Sequence, residues 1–355
     1  MNSIPELNPT WFQRAADYQA RLTMPTGALG RLLELGRQLC AVQETLQPRT
    51  EPAAVLVMAA DHGVSEEGVS AYPTEVTGQM TANFLRGGAA INVLAKRQGA
   101  RVLVVDMGVQ QPISPQAFAG QVEWVADLAV ARGTHNFVKS PAMTMEQAEQ
   151  ALAAGRRIVA ERLAPAGMRV LALGDMGIGN TTSASALTTA LTGQPVAAVT
   201  GRGTGIDDAG WKRKVALIEK ALERHFSQRG NRIEPMEALR AVGGFEIAGL
   251  AGAALEAAGR RMIVVLDGFI SSVAGLIAVR MAPAARGYMI AAHRSVEAGH
   301  TAILQTLDLN PLFDLGLRLG EGTGAALALN LIHSAADIMR DMGTFEKAGV
   351  SGRGK

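Results

Sequence analysis

Glu321 is the residue with the clearest chemical potential in this chain. It stands in Leu319-Gly320-Glu321-Gly322-Thr323-Gly324-Ala325-Ala326, ahead of a strongly apolar helical run. A carboxyl among apolar neighbours is desolvated, which raises its pKa and makes it a competent general base near neutral pH. A glutamate in the first turn of a helix also complements the helix dipole. That reading leaves the three surrounding glycines without a purpose, whereas a flat ligand lying against bare backbone would need them. A second centre is Gly201-Arg202-Gly203-Thr204-Gly205, which follows the short apolar run Val196–Thr200, read as a strand, and precedes a helix carrying Lys212, Arg213 and Lys214. Unshielded N–H groups, a helix N-terminus and cations together make an anion site; an ordinary tight turn is the alternative. Neither G-x-G-x-x-G nor G-x-x-x-x-G-K-[ST] occurs, so neither a dinucleotide fold nor a Walker ATPase is indicated. Gly179-Asn180-Thr181-Thr182 opens a further helix with donors suited to a sugar or phosphate.

Other chemistries find no support. The histidines His62, His135, His225, His293, His300 and His333 lack H-x-x-x-H or H-E-x-x-H spacing, and Cys40 is the single cysteine, so no metal site is expected. Cys40 lies in an apolar helical stretch and reads as a small buried hydrophobe. There is no G-x-S-x-G elbow. With 34 Lys+Arg against 32 Asp+Glu, the chain lacks the basic excess of a nucleic-acid binder. No apolar run reaches ~18 residues, and Met1–Pro9 has no signal-peptide character. A cytoplasmic protein with neither nucleic-acid nor membrane partner is expected.

Positioning these residues requires a scaffold. Hydrophobic residues are 48% of the 355, enough for a sizeable core, and glycine at 40 exceeds the usual ~7%. Apolar runs at Ala54–Ala59, Val102–Val105, Val122–Leu128, Val170–Leu173, Val196–Thr200, Met262–Leu266 and Tyr288–Ala291 alternate with helical patterns. Those patterns cover Glu75–Arg97 (broken at Gly87-Gly88), Glu146–Arg162, Thr181–Leu191, Trp211–His225, Ile247–Ala258 and Phe269–Arg280. The alternation predicts an α/β fold: a mostly parallel, Rossmann-like sheet covered by helices on both faces. The ends read as strand-free: Trp11–Leu22 and Arg31–Leu46 at the start, Val296–Leu307, Pro311–Leu319 and Gly324–Asp341 at the finish. Residues 1–50 with 296–345 are therefore expected to form a small helical subdomain, 51–295 the large sheet domain, and 346–355 a disordered tail.

Ligands bind at the carboxyl ends of the strands in such sheets. The predicted strands run into Asp61-His62-Gly63, Asp106-Met107-Gly108, Gly174-Asp175-Met176-Gly177, Gly201-Arg202-Gly203, Asp267-Gly268 and His293-Arg294-Ser295. Any one acid there can serve merely as a helix cap; the set points to a shared cleft.

Taken in order, several segments resemble one family, the nicotinate-nucleotide:dimethylbenzimidazole phosphoribosyltransferases of cobalamin lower-base activation. They are Pro25-Thr26-Gly27-Ala28-Leu29-Gly30-Arg31-Leu32, Ala60-Asp61-His62-Gly63-Val64, Gly87-Gly88-Ala89-Ala90-Ile91-Asn92, Gly174 through Thr182, Val242-Gly243-Gly244-Phe245-Glu246, Leu266-Asp267-Gly268-Phe269 and Arg318 through Ala326. The resemblance implies a homodimer without cofactor. It implies reaction of nicotinate mononucleotide with 5,6-dimethylbenzimidazole to give α-ribazole 5′-phosphate and nicotinate, with inversion at C1′. It places the catalytic glutamate at Glu321. With the motifs above, it assigns Gly177, Asn180, Thr181, Gly201, Arg202, Gly203, Lys214, Asp267 and Ser295 to the nucleotide and its phosphate. Tyr72, Pro73, Met80, Asp175, Met176 and Leu319 fall on the base side, and Glu246 is a further site acid. Three of these depart from a well-known member: Asp175 for glutamate, Met80 for glutamine and Tyr72 for serine. A relative using another base, such as adenine or a phenol, and a non-catalytic nucleotide-binding regulator remain the alternatives.

Overall fold

The computed structural model describes residues 3–111, 124–227 and 233–351. Six strands form one all-parallel sheet: β1 (Ala53–Ala60), β2 (Arg101–Gly108), β3 (Trp124–Asp127), β4 (Val170–Met176), β5 (Ile263–Leu266) and β6 (Met289–Ala291), in spatial order β3-β2-β1-β4-β5-β6. The order reverses between β1 and β4, so their carboxyl ends open a crevice at the switch point of a doubly wound sheet. Val122 and Glu123 of the predicted third strand lie outside the described residues.

The helices are α1 (Pro9–Gln19), α2 (Arg31–Gln43), α3 (Glu75–Arg86), α4 (Ala90–Arg97), α5 (Met145–Ile158), α6 (Asn180–Thr192) and α7 (Val196–Val199). They continue with α8 (Asp208–Phe226), α9 (Pro235–Val242), α10 (Phe245–Gly259), α11 (Phe269–Met281), α12 (Ala298–Leu307), α13 (Thr323–Asp341) and α14 (Phe345–Ala348). None of the described helices is long and apolar enough to cross a membrane. β1 is buried along its whole length, as a central parallel strand covered on both faces must be. Met58 meets α10 at Gly249, whereas Val55, of opposite parity and so on the other face, meets Gly322 just ahead of α13. α10 covers one face with α5 and α11 beside it; α13 covers the other with α2 and α4. The small residues anticipated from composition serve this packing: Gly155 of α5 lies directly against the Gly249 carbonyl of α10.

Two predicted elements are overturned. Val196–Thr200 is not a strand; Val196–Val199 forms one helical turn behind Pro195. An apolar run this short has the same signature as a strand or a helix turn. The glycine turn at 201–205 thus follows a helix turn. Pro311–Leu319 is not helical either. It runs extended beside β6 and its continuation, with Leu312 N–H on Ala292 O (2.9 Å), Arg294 N–H on Phe313 O (3.0 Å) and Val296 N–H on Leu317 O (3.2 Å). Phe345–Ala348 makes a further helical turn that runs into the stretch 346–355 expected as tail, capped by Thr344 and tied to the first segment by Phe345 N–H on Arg21 O. Residues 352–355 of that expected tail lie outside the described residues.

Candidate active site

The crevice at the carboxyl ends of β1, β4 and β5 has an acidic floor. Glu321 rides over β4 on the loop that leads into α13. Gly320, Glu321 and Gly322 are consecutive left-handed residues, with φ of 81°, 61° and 86°. Holding a glutamate there costs about 1–3 kcal/mol, which surrounding contacts must supply. Asp267, at the end of β5, supplies them: Oδ2 accepts the Gly322 N–H (3.2 Å) and Oδ1 the Ala325 N–H (2.8 Å). Glu321 N–H donates to the Asp175 carbonyl (3.3 Å). The flanking glycines therefore have a structural purpose that the sequence alone does not disclose. They let the loop turn left-handed and press on the sheet, where a Cβ on Gly322 would meet Val55 at 2.7 Å.

The Glu321 side chain is 4% exposed, and its Oε2 accepts the Ile91 N–H at the start of α4 (3.4 Å). Burial raises its pKa, partly offset by that N–H. Asp175 is pushed well above the ordinary range, first by burial and then by the charges of Asp267 and Glu246, while Asn180 Nδ2 donating to its Oδ2 (2.9 Å) opposes this. Burial drives Asp267 up to about 7 despite its backbone donors. Glu246 does not reach the crevice surface; it is fully buried with Oε1 2.7 Å from His62 Nε2. His293 is likewise buried, its Nε2 3.9 Å from Asp267 Oδ1, and it stacks on Phe313.

The opposite end is cationic. The Lys214 ammonium, carried by α8, is buried and donates to Thr181 Oγ1 (2.8 Å). A Cβ on Gly203 would lie 2.7 Å from that hydroxyl and 3.4 Å from the ammonium, so only a glycine lets the turn approach them. Burial lowers the Lys214 pKa to about 8, against the opposing pull of Glu297. Arg318 donates to Gly203 O (3.2 Å). Arg202 bonds instead to Ile206 O and to the Asp208 carboxylate at the start of α8. The consecutive residues Asn180 and Thr181 link the two ends, one bound to Asp175 and the other to Lys214.

Ser295 is buried; its Oγ accepts the Glu297 N–H (3.3 Å) and its own N–H donates to His300 Nδ1 (2.9 Å). That bond leaves the proton on His300 Nε2, which faces Ser272 Oγ at 2.9 Å. Gly177 lies away from the turn, where a Cβ would sit 2.5 Å from Ala60 O. On the remaining side, Ser70 and Ala71 bond to Thr204 Oγ1, which ties the Tyr72-Pro73 loop to the glycine turn. Tyr72 is 56% and Leu319 59% exposed; Met80 and Met176 are half-buried. Thr77, one turn before Met80 on α3, accepts the Ile178 N–H just past β4, which holds α3 over the crevice. Glu297 escapes a reading of the sequence, because nothing about its spacing separates it from a residue leading into α12.

The arrangement brings together a buried glutamate, an acidic floor, a glycine turn beside a buried lysine, and a partly apolar rim. The family model whose description is phosphoribosyltransferase matches residues 4–350. A nicotinate-nucleotide–dimethylbenzimidazole phosphoribosyltransferase from Roseiflexus sp. (strain RS-1) is 53% identical, over 99% of this chain and 98% of the relative. The enzyme of the same name from Azotobacter vinelandii is 49% identical over 100% and 98% of the two chains. The crystal structure of CobT from Thermus thermophilus superposes with a TM-score of 0.91 at 46% identity, covering 98% of this chain and all of that one. Fold and full-length similarity agree, and the chain belongs to the nicotinate-nucleotide–dimethylbenzimidazole phosphoribosyltransferase family.

Proposed function

We propose that this chain transfers the 5-phosphoribosyl group of nicotinate mononucleotide to 5,6-dimethylbenzimidazole, giving α-ribazole 5′-phosphate and nicotinate with inversion at C1′, and that it acts as a homodimer. The observation that carries the reaction is the charge layout of the crevice. Acids line one end and a buried lysine beside a glycine turn the other, matching a nucleotide whose phosphate is anionic and whose ring nitrogen is cationic. Nicotinate departs as a neutral ring, so the leaving group needs no proton. The incoming benzimidazole is a weak nucleophile: one ring nitrogen attacks C1′ while the other loses its proton to Glu321. General-base help of this kind is worth ~10²–10⁴-fold. Asp175 and Asp267 face the region where positive charge spreads over the ribose. Attack opposite the leaving group turns the β-nucleotide into the α-product. The test is incubation with nicotinate mononucleotide and a panel of bases, following nicotinate release by chromatography and the anomeric configuration by NMR. Release without an α-nucleotide would refute the reading.

Lys214 is assigned to the 5′-phosphate. Lys214→Ala is expected to raise the nucleotide KM at least ~10-fold while leaving the benzimidazole KM within twofold, since a hydrogen bond between charged groups is lost at one end only. Its lowered pKa gives the sign of a pH effect. The ammonium is the form that binds phosphate, so in the wild type the nucleotide KM is expected to climb as pH passes about 8. Steady-state kinetics from neutral to moderately alkaline pH with both substrates checks this; a parallel rise for the base would point to general unfolding.

Tyr72, Met80 and Met176 are assigned to a flat, mostly apolar slot for the base. Burying the two methyls of dimethylbenzimidazole is worth up to about 0.8 kcal/mol each, roughly tenfold together. Discrimination against plain benzimidazole should therefore be modest, and adenine poorer still. Met80→Ala is expected to cost the dimethylated base most and adenine least in kcat/KM. An equal loss for all three bases would remove Met80 from the slot.

A further inference from the structure

Glu297 lies where an acid is least expected, against the glycine turn of the cationic end. It is buried, and a Cβ on Gly201 would overlap its carboxylate, which therefore lies close against the turn. The Gly203 N–H points at the same carboxylate, and Lys214 and Arg318 attract it. Its Oε2 is nevertheless buried without a hydrogen-bond partner among the described residues. A half-satisfied buried carboxylate oxygen is costly, so this group is held in place by the field of the turn more than by fitted contacts. Beside it runs a groove of about 660 Å³, lined by Glu297 itself, Arg318, Lys212 and Trp211, which leaves room for the side chain to be displaced within the field of Arg318.

We propose that Glu297 is a built-in competitor for the nucleotide phosphate: its carboxylate takes the anion-binding face of the Gly201–Gly203 turn, and a phosphate settles there only by displacing it. This rests on reading the turn as the phosphate site. Displacement sets a threshold that a small free anion meets poorly, whereas a nucleotide draws on its ribose and ring contacts to meet it. Inorganic phosphate is thereby kept from clogging the site. Substrate and product carry the same 5′-phosphate, so the returning carboxylate also speeds product release.

The test measures affinity for inorganic phosphate, for nicotinate mononucleotide and for benzimidazole by calorimetry, in wild type, Glu297→Gln, Glu297→Asp and Lys214→Ala. Glu297→Gln keeps the shape and removes the competing charge. It should tighten inorganic phosphate about tenfold and the nucleotide to a similar degree, with benzimidazole affinity unchanged. Glu297→Asp draws the charge back by one methylene and should tighten both less. Phosphate binding equal to or weaker than wild type in Glu297→Gln, with benzimidazole binding intact, overturns the proposal and makes Glu297 a support for the turn. Should Glu297→Gln lose benzimidazole binding as well, the Glu297→Asp readings decide by the same criterion. Lys214→Ala separates the two layers: if it leaves phosphate affinity untouched, the turn is not the phosphate site and both readings fall.

Discussion

Glu321→Gln is expected to lower kcat at least ~100-fold while nicotinate mononucleotide binds within twofold of wild type. The amide keeps the shape and can still accept the Ile91 N–H that holds Oε2. It cannot take the proton of the attacking base. Two further readings separate loss of basicity from loss of structure. In the wild type, burial raises the Glu321 pKa, so the acid limb of the rate profile lies above the range of an ordinary glutamate. The sign is fixed: the ionised form is active, and activity falls as pH drops through the raised pKa. The variant should lose that limb, and its residual rate should be flatter with pH. Bases of lower N–H pKa should also regain part of the lost rate, because they need less help. Near-normal turnover in the variant, or an unchanged acid limb, would remove Glu321 as the base and shift attention to Asp175, an acid on this floor that burial pushes well above the ordinary range.

What the sequence reveals of this site follows from how local each signal is. Strand-to-polar junctions such as Leu266-Asp267 and Gly174-Asp175 are written in consecutive residues, and both carry side chains to the crevice floor. The break at Gly87-Gly88 also falls where α3 ends and α4 begins. Misread segments are those whose conformation depends on a distant partner. Pro311–Leu319 is rich in leucine at mixed spacing, yet its backbone groups bond to residues 292–296. The family resemblance gives Asp267 to the nucleotide, and it gives no sign that the oxygens of Asp267 also hold the start of a helix some 55 residues away. Capping usually involves a residue next to its helix, so spacing holds no hint of this. Glu297 is invisible for the same reason: what makes it unusual is Gly201, nearly a hundred residues earlier, and only the folded chain joins them.

Gly174→Ala is expected to cut kcat ~100-fold with a stability loss of about 1–3 kcal/mol, although Gly174 touches no substrate-facing side chain. Gly174 sits inside β4, where glycine weakens a strand and needs a reason. That reason is the loop above it. A Cβ there would lie 2.5 Å from the Glu321 carbonyl oxygen, 2.6 Å from its carbon and 2.8 Å from the Gly322 nitrogen. One side must move. β4 is fixed by its ladder, with Gly174 opposite Val57 of β1 and the preceding Leu173 opposite Leu266 of β5. The loop is held more lightly, by Asp267 and by the Asp175 carbonyl, so the loop is what lifts. A displacement approaching 1 Å carries the Glu321 carboxylate off the Ile91 N–H and away from the proton it must collect, and misplacement on that scale costs on the order of 10²-fold. Thr181 stands on α6 and Lys214 on α8, both outside the disturbed loop, and the glycine turn touches that loop only through Arg318. The nucleotide should therefore bind almost as before, giving a fall in kcat with little change in KM. Thermal unfolding and steady-state kinetics on one preparation decide the matter. A large loss of nucleotide affinity would mean that the whole crevice had collapsed. Normal turnover in a folded variant would mean that the height of the loop above β4 does not set the position of the base.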